Sequence, residues 1–477
     1  MLGKRLERLW PTTPRSAFVT AFAVSLLGGV AINLLLAPFV GRVGSFGGLR
    51  HDGYWELATN VAQGNGYVFE AGDPPVFHRP PLVPALFAPL TLLPAFLHRT
   101  ALVVMHSLMI GLTSALMFDF TRRVFGGSAA RWSLALLLGY PFLYWHVRNP
   151  MNVVIQTTCT TIVLYLLGRE LLAACQRDKP VGNLAAPWRT VLLGLAAGAA
   201  ILTHGTMLLS VPVLLAATGI ISLRLGSIRT LRISLTAGLI ALLTVAPWTY
   251  RNWCVSGRFI PVVGGAGLQY YFGHVHWGFD GRDDSRQQWA RVIAASEVGT
   301  TEMLKFCGYT DPALDAMANR RMVQDVQSHP GRFVKRAALN AVEFYLPIVH
   351  DVLLPNWGTW RNHVEHVLQS TWHLGLLALV GAGLWRNRRS RAASAGWIAV
   401  GAIVGLSACY CPFVTCITLC QYCLPTLPVL AFVGATAFSC RPAVNSEDVP
   451  VDQEPVSERF RRRRVGSGQG QVALTAK

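Results

Sequence analysis

The sequence predicts an all-α polytopic membrane protein, with about ten transmembrane helices and two larger loops facing outward. Three observations carry this. The chain of 477 residues is 52% hydrophobic and only 14% charged, against about 25% charged in ordinary soluble domains. Uncharged apolar runs, most of them near bilayer length, recur from one end to the other. The basic residues gather in short clusters between those runs. A net charge of +18 in a soluble chain would point to nucleic acid; this placement is topogenic instead and argues against a nucleic-acid partner.

The first element is the uncharged run 16–41, preceded by Lys4, Arg5, Arg8 and Arg15. A secretory signal has an apolar core of only about 7–15 residues, so this run reads as a retained first span. Further apolar runs follow at 100–118, 132–147, 150–168, 190–203, 205–223, 233–250, 368–385, 396–414 and 424–440. Backbone polar groups in lipid must be satisfied within the segment, so each run should be helical. Where 190–203 and 205–223 meet, at Thr203-His204-Gly205, we read a tight helical hairpin; a single span there would invert all that follows.

The positive-inside rule supports this count. With a cytoplasmic N-terminus, the inner segments 119–131, 169–189, 224–232 and 386–395 hold Arg122 and Arg123; Arg169, Arg177 and Lys179; Arg224, Arg229 and Arg232; and Arg386, Arg388, Arg389 and Arg391. The tail adds Arg461 to Arg464, so both termini are cytoplasmic. Four regions result: a transmembrane module 1–250 with the first outward loop 42–99; an outward segment 251–367; the C-terminal helices 368–440; and a basic tail 441–477, rich in Pro, Ser, Gly and charge, expected to be disordered. Within the second region, 337–354 is apolar but carries Glu343, His350 and Asp351. It fits an interfacial helix rather than a span.

The first outward loop concentrates unusual chemistry. Asp52 opens a short helical pattern of Tyr54, Leu57, Ala58 and Val61, with Gly64 as its stop. Asp52 fits a helix N-cap, although Trp55 stands where a capping box would place Glu or Gln. A carboxylate at a membrane surface can also take a proton from an acceptor hydroxyl. Arg79 precedes Pro80 and Pro81, which pre-set the chain. Its guanidinium suits a lipid-borne phosphate or, more plainly, snorkels to headgroups. His51 and His78 stand beside these two.

The residues then resemble a family. One span is followed by Asp-x-Tyr-x-x-x-Ala, a Gly-x-Gly-Tyr turn and Arg-Pro-Pro-Leu-x-Pro. Far downstream stands APWTYRNWCVSGRFIPVVGGAGLQYYFG over 246–273, then SHPGRF at 328–333 and QYCLPTLPVLAF at 421–432. In this order they resemble the polytopic glycosyltransferases of the GT-C fold: protein O-mannosyltransferases, aminoarabinose transferases and rhizobial lipopolysaccharide sugar transferases. The resemblance implies transfer of a sugar from a polyprenyl phosphate to a glycan, lipid or protein acceptor on the outer face of a cell membrane, here a bacterial inner membrane. It implies Asp52 as general base and Arg79, with Arg251, as phosphate ligands. Tyr54, His78, Asn252, His204 and Gln421 join the substrate-binding set.

The bare chemistry is compatible. A polyprenyl phosphate leaves readily once its charge is neutralised, so one carboxylate can drive a single inverting displacement, where a glycosidase needs two. No cofactor is required, and Asp280, Asp283 and Asp284 leave a divalent ion open. Three positions depart from the family pattern. His204 stands where members carry Arg, Gln421 replaces a closing Arg, and Asn152 is the nearest polar residue where members place an acid. An inactive member of the fold, or a transporter of lipid-linked saccharides, is the rival reading. Transporters gather ionisable groups at midplane, whereas here they cluster in outward loops. Five of the ten cysteines fall at 409, 411, 416, 420 and 423. They read as small apolar residues in helices, with a disulfide or a zinc site as alternatives.

Overall fold

A computed structural model describes residues 13–40, 53–175, 187–267, 270, 312–349, 360–388, 393–411 and 423–438. Among these, helices are the only regular secondary structure. They run α1 (Pro14–Val40), α2 (Tyr54–Ala62), α3 (Leu82–Thr91), α4 (His98–Phe125), α5 (Gly127–Leu138), α6 (Pro141–Arg148), α7 (Val153–Cys175), α8 (Pro187–Ile201), α9 (Met207–Arg224), α10 (Ile228–Ser256), α11 (Pro312–Ser328), α12 (Pro330–Tyr345), α13 (Trp360–Asn387), α14 (Ala393–Tyr410) and α15 (Leu427–Gly434). The all-α polytopic class expected from composition is what the chain forms.

Each of the ten apolar runs contains helix. The lengths, however, are uneven. Among the described residues, five helices are long and apolar enough to cross a membrane alone, at Pro14–Leu35, Ala95–Phe125, Met207–Arg224, Ile228–Ser256 and Val364–Asn387. A sixth crossing is available if the bent pair Phe142–Arg148 and Val153–Ala174 forms one broken span, turned by 112°. The bend has a local cause. Pro150 excludes the helical conformation from the residue before it, and Asn149 is accordingly extended at φ −101° and ψ 137°. The remaining apolar helices are shorter: Leu82–Thr91, Pro187–Ile201, Gly396–Tyr410 and Leu424–Ala437. The first of these, α3, lies within the stretch 42–99 and was not among the ten runs.

Glycines set the closest helix pairs. Gly194 and Gly198, four residues apart, let α8 lie on α10. A Cβ at Gly194 would sit 2.5 Å from Ile240 Cβ, and one at Gly198 2.5 Å from Thr244 Cβ. This is the small-residue spacing that brings membrane helices together. Gly29 does the same for α1 against Ser107 of α4. At the centre, α15 is buried along its whole length and packs on α13 and α5. In contrast, α10 turns Leu239, Leu242 and Leu243 outward, each at least 59% exposed.

One end of the bundle collects three of the basic clusters assigned to the inner face. Arg123 Nε donates to Asp119 Oδ2 at 2.7 Å. Tyr165 donates to the same oxygen at 2.7 Å, and Arg169 donates to Tyr165 at 3.2 Å. Arg229 pairs with Glu170 at 4.0 Å. The interfacial helix expected over 337–354 begins earlier, as α12 from Pro330, and is docked rather than loose. Asn340 donates to the Cys411 carbonyl at 2.6 Å, and Phe344 is fully buried. His350 and Asp351 lie outside the described residues.

If close approach through Gly198 holds α8 to α10, Gly198→Val should overpack the pair. A cost of about 1–3 kcal/mol is expected, read as a lower melting temperature of the protein in nanodiscs. An unchanged melting temperature would show that the helices separate freely.

Candidate functional site

The site is built where the loop after α2 meets the end of α10. Helix α2 starts at Tyr54, and Gly53, not Asp52, occupies its N-cap, with φ 74° and no side-chain capping bond. A Cβ at Gly53 would lie 2.4 Å from Phe69 Cε1, so the glycine lets the loop close over the helix start. Tyr54, Trp55 and Leu57 are buried beneath it. Asp52 itself, with His51, lies outside the described residues.

Tyr67 ties the loop together. Its hydroxyl donates to the carbonyls of Arg79 and Pro80, each at 3.0 Å. Its carbonyl accepts from the Val76 N–H at 2.9 Å. Its ring meets Trp248 edge-on at 4.9 Å and lies 5.3 Å beneath the Arg251 guanidinium. Arg251 also covers Trp248 at 4.7 Å and donates Nη1 to the Val76 carbonyl at 2.5 Å. Arg79 lies over the Tyr54 ring at 5.2 Å. The two arginines singled out from the sequence, far apart in the chain, therefore share one aromatic patch made by Tyr54, Tyr67 and Trp248. Neighbouring positive charges over aromatic faces are an arrangement suited to an anionic ligand.

The other expected ligands take supporting positions. Asn252 is fully buried and donates to the carbonyls of Ile260 and Val262 at 3.1 and 3.0 Å. Trp248 Nε1 also reaches the Val262 carbonyl at 2.7 Å. These bonds fold the Gly-rich segment back beside the loop, where Gly264 N–H meets the Phe77 carbonyl at 3.1 Å. His78 is buried beneath Gly265, which holds φ +95°. A Cβ at Gly265 would fall inside the His78 ring. Asp315 of α11 accepts the Gly265 N–H, and its partner Asn319 accepts the Gly267 N–H at 2.7 Å. Burial raises the Asp315 carboxyl above its ordinary range.

The departures from the family pattern resolve physically. The Leu82 N–H donates to the Leu202 carbonyl at 3.2 Å, which seats the site loop on the turn before α9. Within that turn, His204 Nδ1 bonds Thr206 Oγ1 at 2.7 Å, and its ring packs on Tyr410 at 5.5 Å. Burial, then repulsion from Arg79, pushes the His204 pKa down to about 3. It is therefore a neutral group and adds no charge beside Arg79. Asn152 is buried and donates to the Thr203 carbonyl at 3.2 Å, so it shapes the turn. Gln421 lies outside the described residues.

Three residues of the site were not assigned from sequence. Tyr67 and Trp248 stood inside the quoted Gly-x-Gly-Tyr and Pro-Trp-x-x-Arg-Asn segments, so aromatic spacing beside the basic residues was the available signal. Asp315 had none. Among the described residues, no group of three or more His, Cys, Asp or Glu is placed to hold a metal; Asp280, Asp283 and Asp284 lie outside them. Cys409 and Cys411 are free thiols. Cys423 is buried, and not among apolar groups alone: its Sγ lies 3.4 Å from His373 Nε2.

Residues 78–251, from His78 to Arg251, match the family model of dolichyl-phosphate-mannose-protein mannosyltransferase. No curated protein matches the chain significantly. Two solved structures of ArnT from Cupriavidus metallidurans are similar to it. The one bound to undecaprenyl phosphate is 16% identical, with 86% of this chain and 78% of that chain covered and a TM-score of 0.37. The apo form is 17% identical, with 86% and 76% covered and a TM-score of 0.34.

The neutral state of His204 gives a pH prediction. Its pKa is lowered by folding, so the unfolded chain binds a proton that the folded chain refuses. The contribution to stability is full above about pH 6.5 and is lost as pH falls toward 3. His204→Gln should therefore lessen the fall in melting temperature between pH 6.5 and 4. An identical acid profile in both proteins would place the destabilising protonation elsewhere.

Proposed function

We propose that the protein is an integral-membrane glycosyltransferase that moves a sugar from a polyprenyl-phosphate donor to an acceptor hydroxyl. Arg79 and Arg251 hold the donor phosphate, and Asp52 is the general base. The observation that carries this reading is the convergence of Arg79 and Arg251 on the Tyr67 patch, at the two ends of the segment that matches the mannosyltransferase family model. The outer face of the membrane is its place of action, by the distribution of Lys and Arg.

The step balances simply. The acceptor O–H gives its proton to the Asp52 carboxylate, and its oxygen forms the new bond to the anomeric carbon. The bond from that carbon to the phosphate oxygen breaks, and the polyprenyl phosphate leaves with the electron pair. Charge grows on the phosphate as it leaves, so preorganised guanidiniums stabilise the transition state more than the bound donor. The carboxylate immediately precedes Gly53 and Tyr54, the residue on whose ring Arg79 lies. In sequence, the proposed base thus stands two residues before the aromatic ring that Arg79 covers.

The test is release of radiolabelled sugar from polyprenyl-phosphate sugars in membranes holding matched amounts of wild type, Asp52→Asn, Arg79→Ala and Arg251→Ala. Loss of a general base should lower turnover by about 10²–10⁴-fold. Loss of either arginine should lower it by about 10²-fold or more. Asp52→Asn within about twofold of wild type would move the base elsewhere. Both arginine variants unchanged would sink the phosphate assignment.

A further inference from the structure

A groove lies at the end of the bundle that carries the basic clusters, apart from the site described above. It has a volume of about 430 Å³, within the range of about 300–1,000 Å³ usual for small-ligand sites. It runs along α7, on which α4 and α8 both pack. Ile162, Tyr165, Leu166, Arg169 and Glu170 line it from α7. Their spacing of three and four residues marks one helix face, about 12 Å long. Leu112 and Leu116 of α4 and Leu193 of α8 complete the apolar part. Trp188 of α8 lines the groove and is exposed, so the groove opens to the surface of the bundle.

Polarity changes along this face. Ile162 lies at the apolar end, and two turns on, Arg169 and Glu170 share the lining with Trp188 and Arg189, where α8 begins. Arg169 donates to the Tyr165 hydroxyl at 3.2 Å and lies over that ring at 5.7 Å. Arg189 lies 5.5 Å from the Trp188 ring. Among the described residues, neither arginine joins an ion pair. Each guanidinium has five N–H donors, and aromatic faces with one neutral hydroxyl leave most of them for another ligand. The carboxylate of the lining, Glu170, is engaged by Arg229 at 4.0 Å. Arg189 also stands in the first turn of α8, where a positive charge opposes the helix dipole and an anion is favoured.

The groove is separate from the donor site. Ile233 of α10 lines the groove, and Arg251 lies on the same helix, about 27 Å away along it. An occupant of the groove must be apolar along α7 and negative where α8 begins.

We infer that the groove binds one anionic phospholipid. An acyl chain lies along the α7 face, between α4 and α8, and the headgroup phosphate takes Arg169 and Arg189. Basic pockets between membrane helices recognise anionic headgroups in this way, and a Trp at the same level suits the membrane interface. Two arginines against one engaged carboxylate select a headgroup of net negative charge over a zwitterionic one. The lipid fills the space between α4 and α8 and so steadies α8, which runs about 22 Å to the turn that holds His204.

Native mass spectrometry of the full chain, delipidated in detergent and titrated with lipid, tests this. The probes are phosphatidylglycerol, phosphatidylcholine with the same acyl chains, and undecaprenyl phosphate. Wild type should bind one phosphatidylglycerol about tenfold or more tighter than phosphatidylcholine. Arg169→Gln and Arg189→Gln should each cut that preference about fivefold, while Arg79→Ala leaves it unchanged. Leu116→Trp fills the apolar part and keeps both arginines; it should remove most of the bound phosphatidylglycerol. If that variant does not fold, Thr190→Trp, at a half-buried position of the lining, takes its place. Undecaprenyl phosphate should bind without displacing phosphatidylglycerol. Equal affinity for the two phospholipids, or wild-type preference in both arginine variants, overturns the inference. So does phosphatidylglycerol binding that the groove-filling variants leave intact, because the arginines then only snorkel to bulk headgroups. Undecaprenyl phosphate that displaces phosphatidylglycerol, and loses affinity in Arg189→Gln but not in Arg79→Ala, would give the groove to the donor lipid and overturn it as well.

Discussion

A guanidinium at the edge of a low-dielectric bundle must find acceptors, and the rest of the site follows from how Arg251 does so. It reaches the Val76 carbonyl and lies over the faces of Tyr67 and Trp248. That contact joins the end of α10 to a loop more than a hundred residues earlier in the chain. Once the loop is seated, Tyr67 can bond the carbonyls of Arg79 and Pro80, which fixes the approach of Arg79. The same turn of α10 presents Asn252 and Trp248 to the segment 260–262. Neutral carbonyls and aromatic faces do this work. An acidic partner would hold the arginine as well but would cancel the charge that the proposed donor phosphate needs.

The fold class was legible because it rests on local signals, and the arginines could be singled out for the same reason. Apolar runs and clustered basic residues report on insertion directly, and a basic residue before Pro-Pro is a short motif. The roles of the other polar residues were not legible, since they depend on contacts between distant segments. Asn252 stands in the Pro-Trp-x-x-Arg-Asn segment; its amide bonds the carbonyls of Ile260 and Val262. Asn152 looked like a degraded acid; it carries the Thr203 carbonyl. The cap assigned to Asp52 falls to Gly53, because the close approach of Phe69 at that point admits no side chain. The bend at Asn149 was foreshadowed by Pro150, but the size of the turn was not, since proline only forbids the helix and packing chooses the angle.

Asp315 illustrates a different limit. It sits in a polar stretch with ordinary helical composition, and nothing in its neighbours marks it. Its importance comes from Gly265, whose positive φ points the N–H away from the loop's own carbonyls and toward α11. The pair holds the Gly-rich segment over His78, which joins α11 to the loop that carries Arg79. A glycine signal was present in the sequence, but its partner could be named only from the structure.

The neutral histidine beside Arg79 has a consequence for the chemistry proposed here. A polyprenyl-phosphate sugar is a phosphodiester with one negative charge, and the phosphate that leaves carries nearly two. Two guanidiniums match the charge that develops, not the charge that is present at the start. A third cation at His204 would repel Arg79. Burial against Tyr410 and a bond to Thr206 keep that imidazole uncharged. With His204 neutral, two charges stay on the Tyr67 patch, the number that the proposed leaving phosphate calls for.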